Sequence, residues 1–284
     1  MRCNRRANRS LYSSRNLGLL FVLATCPVAV SGQSRASIRL TGSDMGVVIP
    51  TSVRNVDQND PGAIAEITAS ATAMHAGSWK AMQATGTVTY SQGGPEAFPA
   101  VFSTASGFRS RLDIQTPAGT ESTRLFWRAG KYQSPGQRIQ QLDPDTALAG
   151  IFPFQAIFAQ DKLFHPAVTD DGLCRISGVD LHRITVALPT AGINPSTKSR
   201  NTLPIDFYFD PTSHLLVKTV TYTTLRGNSR VHFIRVITYG DYRLVNSVLV
   251  PFRFTESIDG EPLQTFQASS VQIDPALNPS YFEF

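Results

Sequence analysis

The chain has 284 residues, of which 42% are hydrophobic and 17% charged, with 26 Lys and Arg against 21 Asp and Glu. The positive excess sits at the start: Arg2, Arg5, Arg6, Arg9 and Arg15 precede any acid, and without residues 1–32 the count is 21 against 21. A neutral remainder with no basic run removes the electrostatic case for nucleic-acid binding.

The five arginines are followed by the apolar run Leu17 to Val30 and the small residues Ser31 and Gly32. A basic n-region, a short h-region and small residues predict a secretory signal peptide over 1–32, too short to span a bilayer as a helix. The protein is expected to be exported, to the periplasm or the outer-membrane side of a bacterial envelope. Leu23-Ala24-Thr25-Cys26 resembles a lipobox, but Thr25 departs from its pattern, so cleavage after Ser31 or Gly32 is favoured over lipidation at Cys26. Cys3 and Cys26 fall in the leader, so Cys174 remains alone and reads as a half-buried small hydrophobe. Stability must come from a packed core, which about 250 residues can supply.

Residues 33–59 read as an extended arm, with a strand over Met45 to Pro50 as its one local pattern. Asp60-Pro61 then opens a helix: Asp caps free amides and Pro is tolerated at the first helical position. Ile64, Ile67, Ala71 and Met74 recur at helical spacing, and Gly77 is the expected stop. From Ser78 the period becomes two. Met82, Ala84, Gly86, Val88 and Tyr90 alternate with polar residues, as in a half-buried strand. Phe98-Ala100-Phe102, Phe108-Ser110-Leu112-Ile114 and Thr123-Leu125-Trp127 continue the alternation, with glycines between them. Short, evenly punctuated strands predict an antiparallel meander.

The meander pauses at Asp143-Pro144-Asp145. Ala147 to Ala159 follows, with Gln155 as its only polar side chain and Pro153 inside it. This run reads either as a kinked core helix or as an apolar lid over a cavity. Strands then resume, with His182, Ile184, Val186 and Leu188 on one face. A loop carrying Pro189, Pro195 and Pro204 is expected next. Asp210-Pro211-Thr212-Ser213 is a turn in which Pro fixes φ and Asp and Ser bond the local backbone. Val231, Phe233, Ile237 and Tyr239 make an apolar face that Arg235 interrupts. Val248, Val250, Phe252 and Phe254 make another, and Asp259-Gly260 marks a hairpin.

Three features of the last third (Asp210-Pro211 with Leu215-Leu216-Val217, Asp241 to Val245, and Val250-Pro251-Phe252 before Asp259-Gly260) resemble the LolA-like group of periplasmic lipoprotein-sorting carriers. The order of helix, long meander and apolar insert fits as well. The resemblance spans most of 60–284, expected as one domain. It implies a mainly β, α+β fold: a half-open antiparallel β-barrel whose concave apolar face is covered by helices and receives acyl chains. Ile151, Phe152, Phe154, Ile157 and Phe158 are the candidate lid residues, and Trp127, Phe252 and Phe254 candidate cavity residues. The expected partner is a hydrophobic ligand, an acyl chain or a lipoprotein, bound by a monomer, with contact to a membrane surface as a further expectation.

No catalytic constellation stands out. His75, His165, His182, His214 and His232 lie far apart in sequence, without metal-ligand spacing. No nucleophile elbow, P-loop or dinucleotide fingerprint is present. Asp143/Asp145 and Asp170/Asp171 are acidic pairs that read as solvated loop or cap residues. No cofactor, no metal and no enzymatic activity are expected. Two other readings stay open: a protein or peptide interaction module with a closed core, and a hydrolase whose residues converge only in space. The terminal Tyr281-Phe282-Glu283-Phe284 suggests a last outer-membrane strand, but Pro275 and Pro279 argue against one.

Overall fold

The computed structural model describes residues 59–75, 79–92, 94–106, 109–126, 129–142, 167–193, 200–225 and 228–283. Among them are one α-helix, α1 (Pro61–Met74), and thirteen strands. The first six are β1 (Ala81–Tyr90), β2 (Ala97–Ala105), β3 (Arg109–Thr116), β4 (Gly119–Phe126), β5 (Ala129–Gln133) and β6 (Gln140–Leu142). The other seven are β7 (Ala167–Ile176), β8 (Val179–Ile193), β9 (Arg200–Phe209), β10 (Leu216–Leu225), β11 (Asn228–Val245), β12 (Val248–Ile258) and β13 (Glu261–Ile273).

All thirteen form one sheet, ordered β6-β5-β4-β3-β2-β1-β13-β12-β11-β10-β9-β8-β7. Every pairing is antiparallel, so two meanders are joined where β1 meets β13, and β6 and β7 are the edge strands among the described residues. The sheet is therefore open, and it curls strongly. Leu112 on β3 and Ile237 on β11 line the same small cavity, although their strands stand five places apart. Five strand spacings measure about 24 Å on a flat sheet.

The turns follow from local chemistry. Asp259 and Gly260 both have positive φ, 50° and 86°, as a two-residue hairpin of the type I′ family requires. Ser177-Gly178 and Asn246-Ser247 do the same, without the Asp-Gly signature in the sequence. In the Asp210 turn, one carboxylate oxygen accepts from the Thr212 and Ser213 amides and the Ser213 hydroxyl, at 3.0, 2.7 and 2.9 Å. Those hydrogen bonds hold the Asp210 carboxyl below its usual range.

Helix α1 begins as expected: Asp60 caps the Gly62 amide at 2.8 Å, and Pro61 follows. It ends earlier than expected, at His75, whose left-handed conformation (φ 53°) lets its amide reach the carbonyls of Ala71 and Thr72. The buried face is Ala63, Glu66, Ser70 and Met74, so the helix is rotated relative to the stripe through Ile64, which is 45% exposed. The reason is polar: Glu66 points into the sheet because two histidines receive it there.

Two further expectations need correction. Pro189 and Pro204 lie inside strands, paired with Thr202 and Ala187, because β8 and β9 run on past the expected loop. Asp170 and Asp171 are strand residues at a bulge of β7, not loop residues. The bulge turns Asp170 towards α1 and His182, while Asp171 joins Arg183 and Thr185. The lid run 147–159, with Ile151, Phe152, Phe154, Ile157 and Phe158, lies outside the described residues, as do Trp127, the arm 33–58 and the leader.

The C-terminal segment closes the outer, convex face of β2–β4. Asp274 accepts from the Lys80 and Ala81 amides at 2.6 and 3.0 Å and pins the start of β1. A 3₁₀ turn, Pro279–Phe282, then lays Tyr281 over Arg111, whose guanidinium carbon is 4.2 Å from the ring centroid and whose Nη1 donates to the Tyr281 carbonyl at 2.8 Å. Tyr281 thus caps the sheet's outside instead of continuing it as a strand.

Candidate functional site

The concave face is built from cross-strand rows, because side chains two apart on each strand share a face. One row runs Tyr239–Phe254–Phe266–Val88–Phe98 over five neighbouring strands. Phe254 stacks on Phe266 with ring centroids 5.6 Å apart, and it meets Tyr239 at 5.9 Å and Phe102 at 6.1 Å. These rings are buried and form the centre of the core cluster. Phe252, on the same strand as Phe254, is also buried, with Arg243 lying 4.5 Å over its ring. Both described cavity candidates therefore face the concave interior, where Phe254 lines a small gap.

The next row runs Ile184–Phe207–Thr219–Ile237–Glu256–Gln264–Tyr90. Its first half is apolar apart from Thr219, whose hydroxyl meets that of Tyr239 at 3.2 Å, and its second half is polar. The gap between the two rows is lined by Val88, Leu112, Ile237, Phe254, Glu256, Gln264 and Phe266, and at about 10 Å³ it has room for a single water.

The polar half was not foreseen. Arg235 donates to Glu256 at 2.6 Å, and Gln264 donates to the other oxygen of Glu256 at 2.8 Å. All three are more than nine-tenths buried. The tyrosine beyond them, Tyr90, lies beside Glu121 on β4, and Tyr132 on β5 faces the same carboxylate. Burial pushes the Glu121 carboxyl above its usual range, and the two hydroxyls only partly offset this. The sequence carries a signal for part of this band. Arg235 and Glu256 each fall on the apolar phase of their strand, and the two strands are consecutive.

A second polar group docks α1 across one end of the face. His214, held by the Asp210 turn at φ 57°, places Nδ1 3.0 Å from Oε1 of Glu66. His182 places Nδ1 3.2 Å from Oε2 of Glu66 and Nε2 2.8 Å from Oδ1 of Asp170. An imidazole with carboxylates at both nitrogens bonds both only when both carry hydrogen. Burial pulls the His182 imidazolium down, but Asp170 and then Glu66 outweigh it and raise the net value. The amide of Asp60 also donates to the Val168 carbonyl on edge strand β7, at 3.0 Å. Gly62 allows that approach, since a Cβ there would meet the Asp170 carboxylate at 2.6 Å. Among the described residues no group of three or more His, Cys, Asp or Glu is placed to hold a metal ion, and none of their helices is long and apolar enough to cross a membrane.

No protein-family profile and no curated protein sequence matches the chain. Solved structures do match. A domain assigned to outer membrane lipoprotein sorting, from Vibrio parahaemolyticus, superposes with a TM-score of 0.50 at 10% identity, over 78% of this chain and 97% of its own. A DUF1329 family protein from Desulfovibrio piger superposes with a TM-score of 0.52 at 8% identity, over 79% of this chain and 98% of its own. The open, curled, antiparallel sheet with a helix across its concave face is thus the LolA-like half-open barrel fold. At these identities the likeness is one of fold.

Proposed function

We propose that this chain is an exported envelope protein that holds a hydrophobic ligand, an acyl chain or an acylated protein, non-covalently against its concave face. The observation that carries this reading is an open sheet whose curl gathers an apolar row from five strands, with one end covered by α1. A sheet that curls without closing must cover or occupy that face, because large exposed apolar patches are unfavourable. Each acyl methylene buried there contributes about 0.8 kcal/mol, so partial insertion already gives measurable affinity. The lipoprotein-sorting assignment of the Vibrio domain supports the same ligand class. The signal-like segment 1–32 supports export, with 60–284 as the carrier domain and 147–159 as the apolar segment that trades places with ligand.

Native mass spectrometry with lipid extraction, on protein purified from an envelope fraction, tests the reading. A co-purifying lipid or acylated protein is expected; a ligand-free chain that also fails to bind a fluorescent acyl probe refutes it. Phe154→Asp and Phe158→Asp should weaken probe binding while strand content by circular dichroism is retained. Normal binding by both variants removes the role of that segment.

A further inference from the structure

Helix α1 lies on the concave face with a half-polar inner side. Its inward positions are Ala63, Glu66, Ser70 and Met74, and the buried Ser70 hydroxyl has no hydrogen-bond partner among the described residues. The Asp60 amide ties the helix start to edge strand β7, and Glu66 ties its middle to His182 and His214. His182 is the tie that one proton controls. Its Nε2 lies 2.8 Å from Asp170, within the sheet, and its Nδ1 lies 3.2 Å from Glu66, on the helix. The imidazolium donates to both. The neutral ring has one N–H, keeps the shorter bond to Asp170 and turns a lone pair towards the Glu66 carboxylate. The bond lost is therefore the one between helix and sheet. Asp60 stands beside the same group: a Cβ on Gly62 would meet the Asp170 and Asp60 carboxylates at 2.6 and 3.3 Å. The turn contributes His214, on Glu66, and Asp210, whose charge faces His214. On β12, which also packs against the helix, the buried Glu256 is taken up by Arg235 and Gln264, and Arg253 is exposed beside Gly240.

We propose that α1 is a proton-latched cover: loss of one proton from His182 frees it, and the concave face opens to its hydrophobic ligand as pH rises. The ligand part rests on the carrier reading above; the latch itself does not. The closed arrangement is packed with side chains, and the gap beside Phe254 has room for a single water. An acyl chain therefore enters only where a covering element leaves. Ala63 of α1 belongs to the same core cluster as Phe252 and Phe254, so lifting the helix exposes part of that cluster. Burial lowers the His182 value, but Asp170 and Glu66 together raise it above the ordinary 6.5. The latch is thus closed below that ordinary value and opens as pH rises through the folded one.

Hydrogen exchange read by mass spectrometry from pH 5.5 to pH 8.5 tests the latch, with β12 peptides as the internal reference that cancels the intrinsic pH dependence of exchange. Protection of α1 relative to β12 should fall about tenfold over this range, the factor for losing one hydrogen bond to a charged group. His182→Gln should flatten the profile. Asp170→Asn, which keeps the oxygen that accepts from the Gly172 amide, should move the fall to lower pH. Circular dichroism establishes that each variant is folded. A wild-type ratio that does not change with pH, a His182→Gln profile like that of wild type, or an unshifted fall in Asp170→Asn overturns the latch and leaves the carrier reading standing. The ligand part is read by stopped-flow association of an uncharged probe, the methyl ester of a pyrene-labelled fatty acid. It should associate about tenfold faster at pH 8.5 than at pH 5.5 in wild type, and at equal rates in His182→Gln. Equal rates in wild type overturn the control of ligand entry. No binding at either pH overturns the carrier reading, and the exchange profile then decides the latch alone.

Discussion

Glu66→Gln isolates the contact that docks α1 on the sheet. The substitution keeps the volume and removes the charge that His182 and His214 share, at 3.2 and 3.0 Å. A hydrogen bond to a charged group contributes about 1.5–3 kcal/mol, against about 1 kcal/mol for a neutral one. The Gln oxygen can still accept from one of the two imidazoles. The expected loss at low pH is therefore about 2 kcal/mol. The folded value of His182 is raised above its ordinary 6.5. The stability it supplies is fully present below that ordinary value and is lost as pH rises through the folded one. Urea unfolding of wild type and variant at pH 5.5 and pH 8.5 reads this directly. The variant should be clearly weaker at pH 5.5 and close to wild type at pH 8.5. A gap that is absent at both pH values, or larger at pH 8.5, would refute the claim that an imidazolium between Asp170 and Glu66 secures the helix.

Arg235→Met should destabilise the fold by about 3–5 kcal/mol, because it strands the buried Glu256 carboxylate; adding Glu256→Met should recover most of that loss in the same denaturation assay, and no recovery would mean the pair itself is net stabilising. Gly86→Ala should cost about 3 kcal/mol, the upper range for overpacking, since its new Cβ would collide with the Gln267 backbone carbonyl at the β1–β13 bulge. A thermal midpoint equal to wild type would show that this junction of the two meanders can shift.

Much of the architecture is written in local residue order. Strict alternation such as Met82-Ala84-Gly86-Val88-Tyr90 is readable because a strand's period is two, and the structure buries all five positions of that series. Asp60-Pro61, Asp210-Pro211-Thr212-Ser213 and Asp259-Gly260 are equally local: each side chain bonds or bends a backbone within three residues of itself. The rotated face of α1 is a different matter. Its apolar spacing favours Ile64, but the partners that draw Glu66 inward, His182 and His214, come from β8 and the turn before β10.

The sequence alone determines that this chain makes an antiparallel meander preceded by a capped helix, because period and turn chemistry act over a few residues. Tertiary structure decides what the concave face contains. Strand order, curl and register bring Tyr90 beside Glu121 and Arg235 beside Glu256 across gaps in sequence of 31 and 21 residues. The second pairing joins consecutive strands, whereas the first joins β1 to β4, three places apart in the sheet, and exists only because the curl brings those strands around a shared hollow.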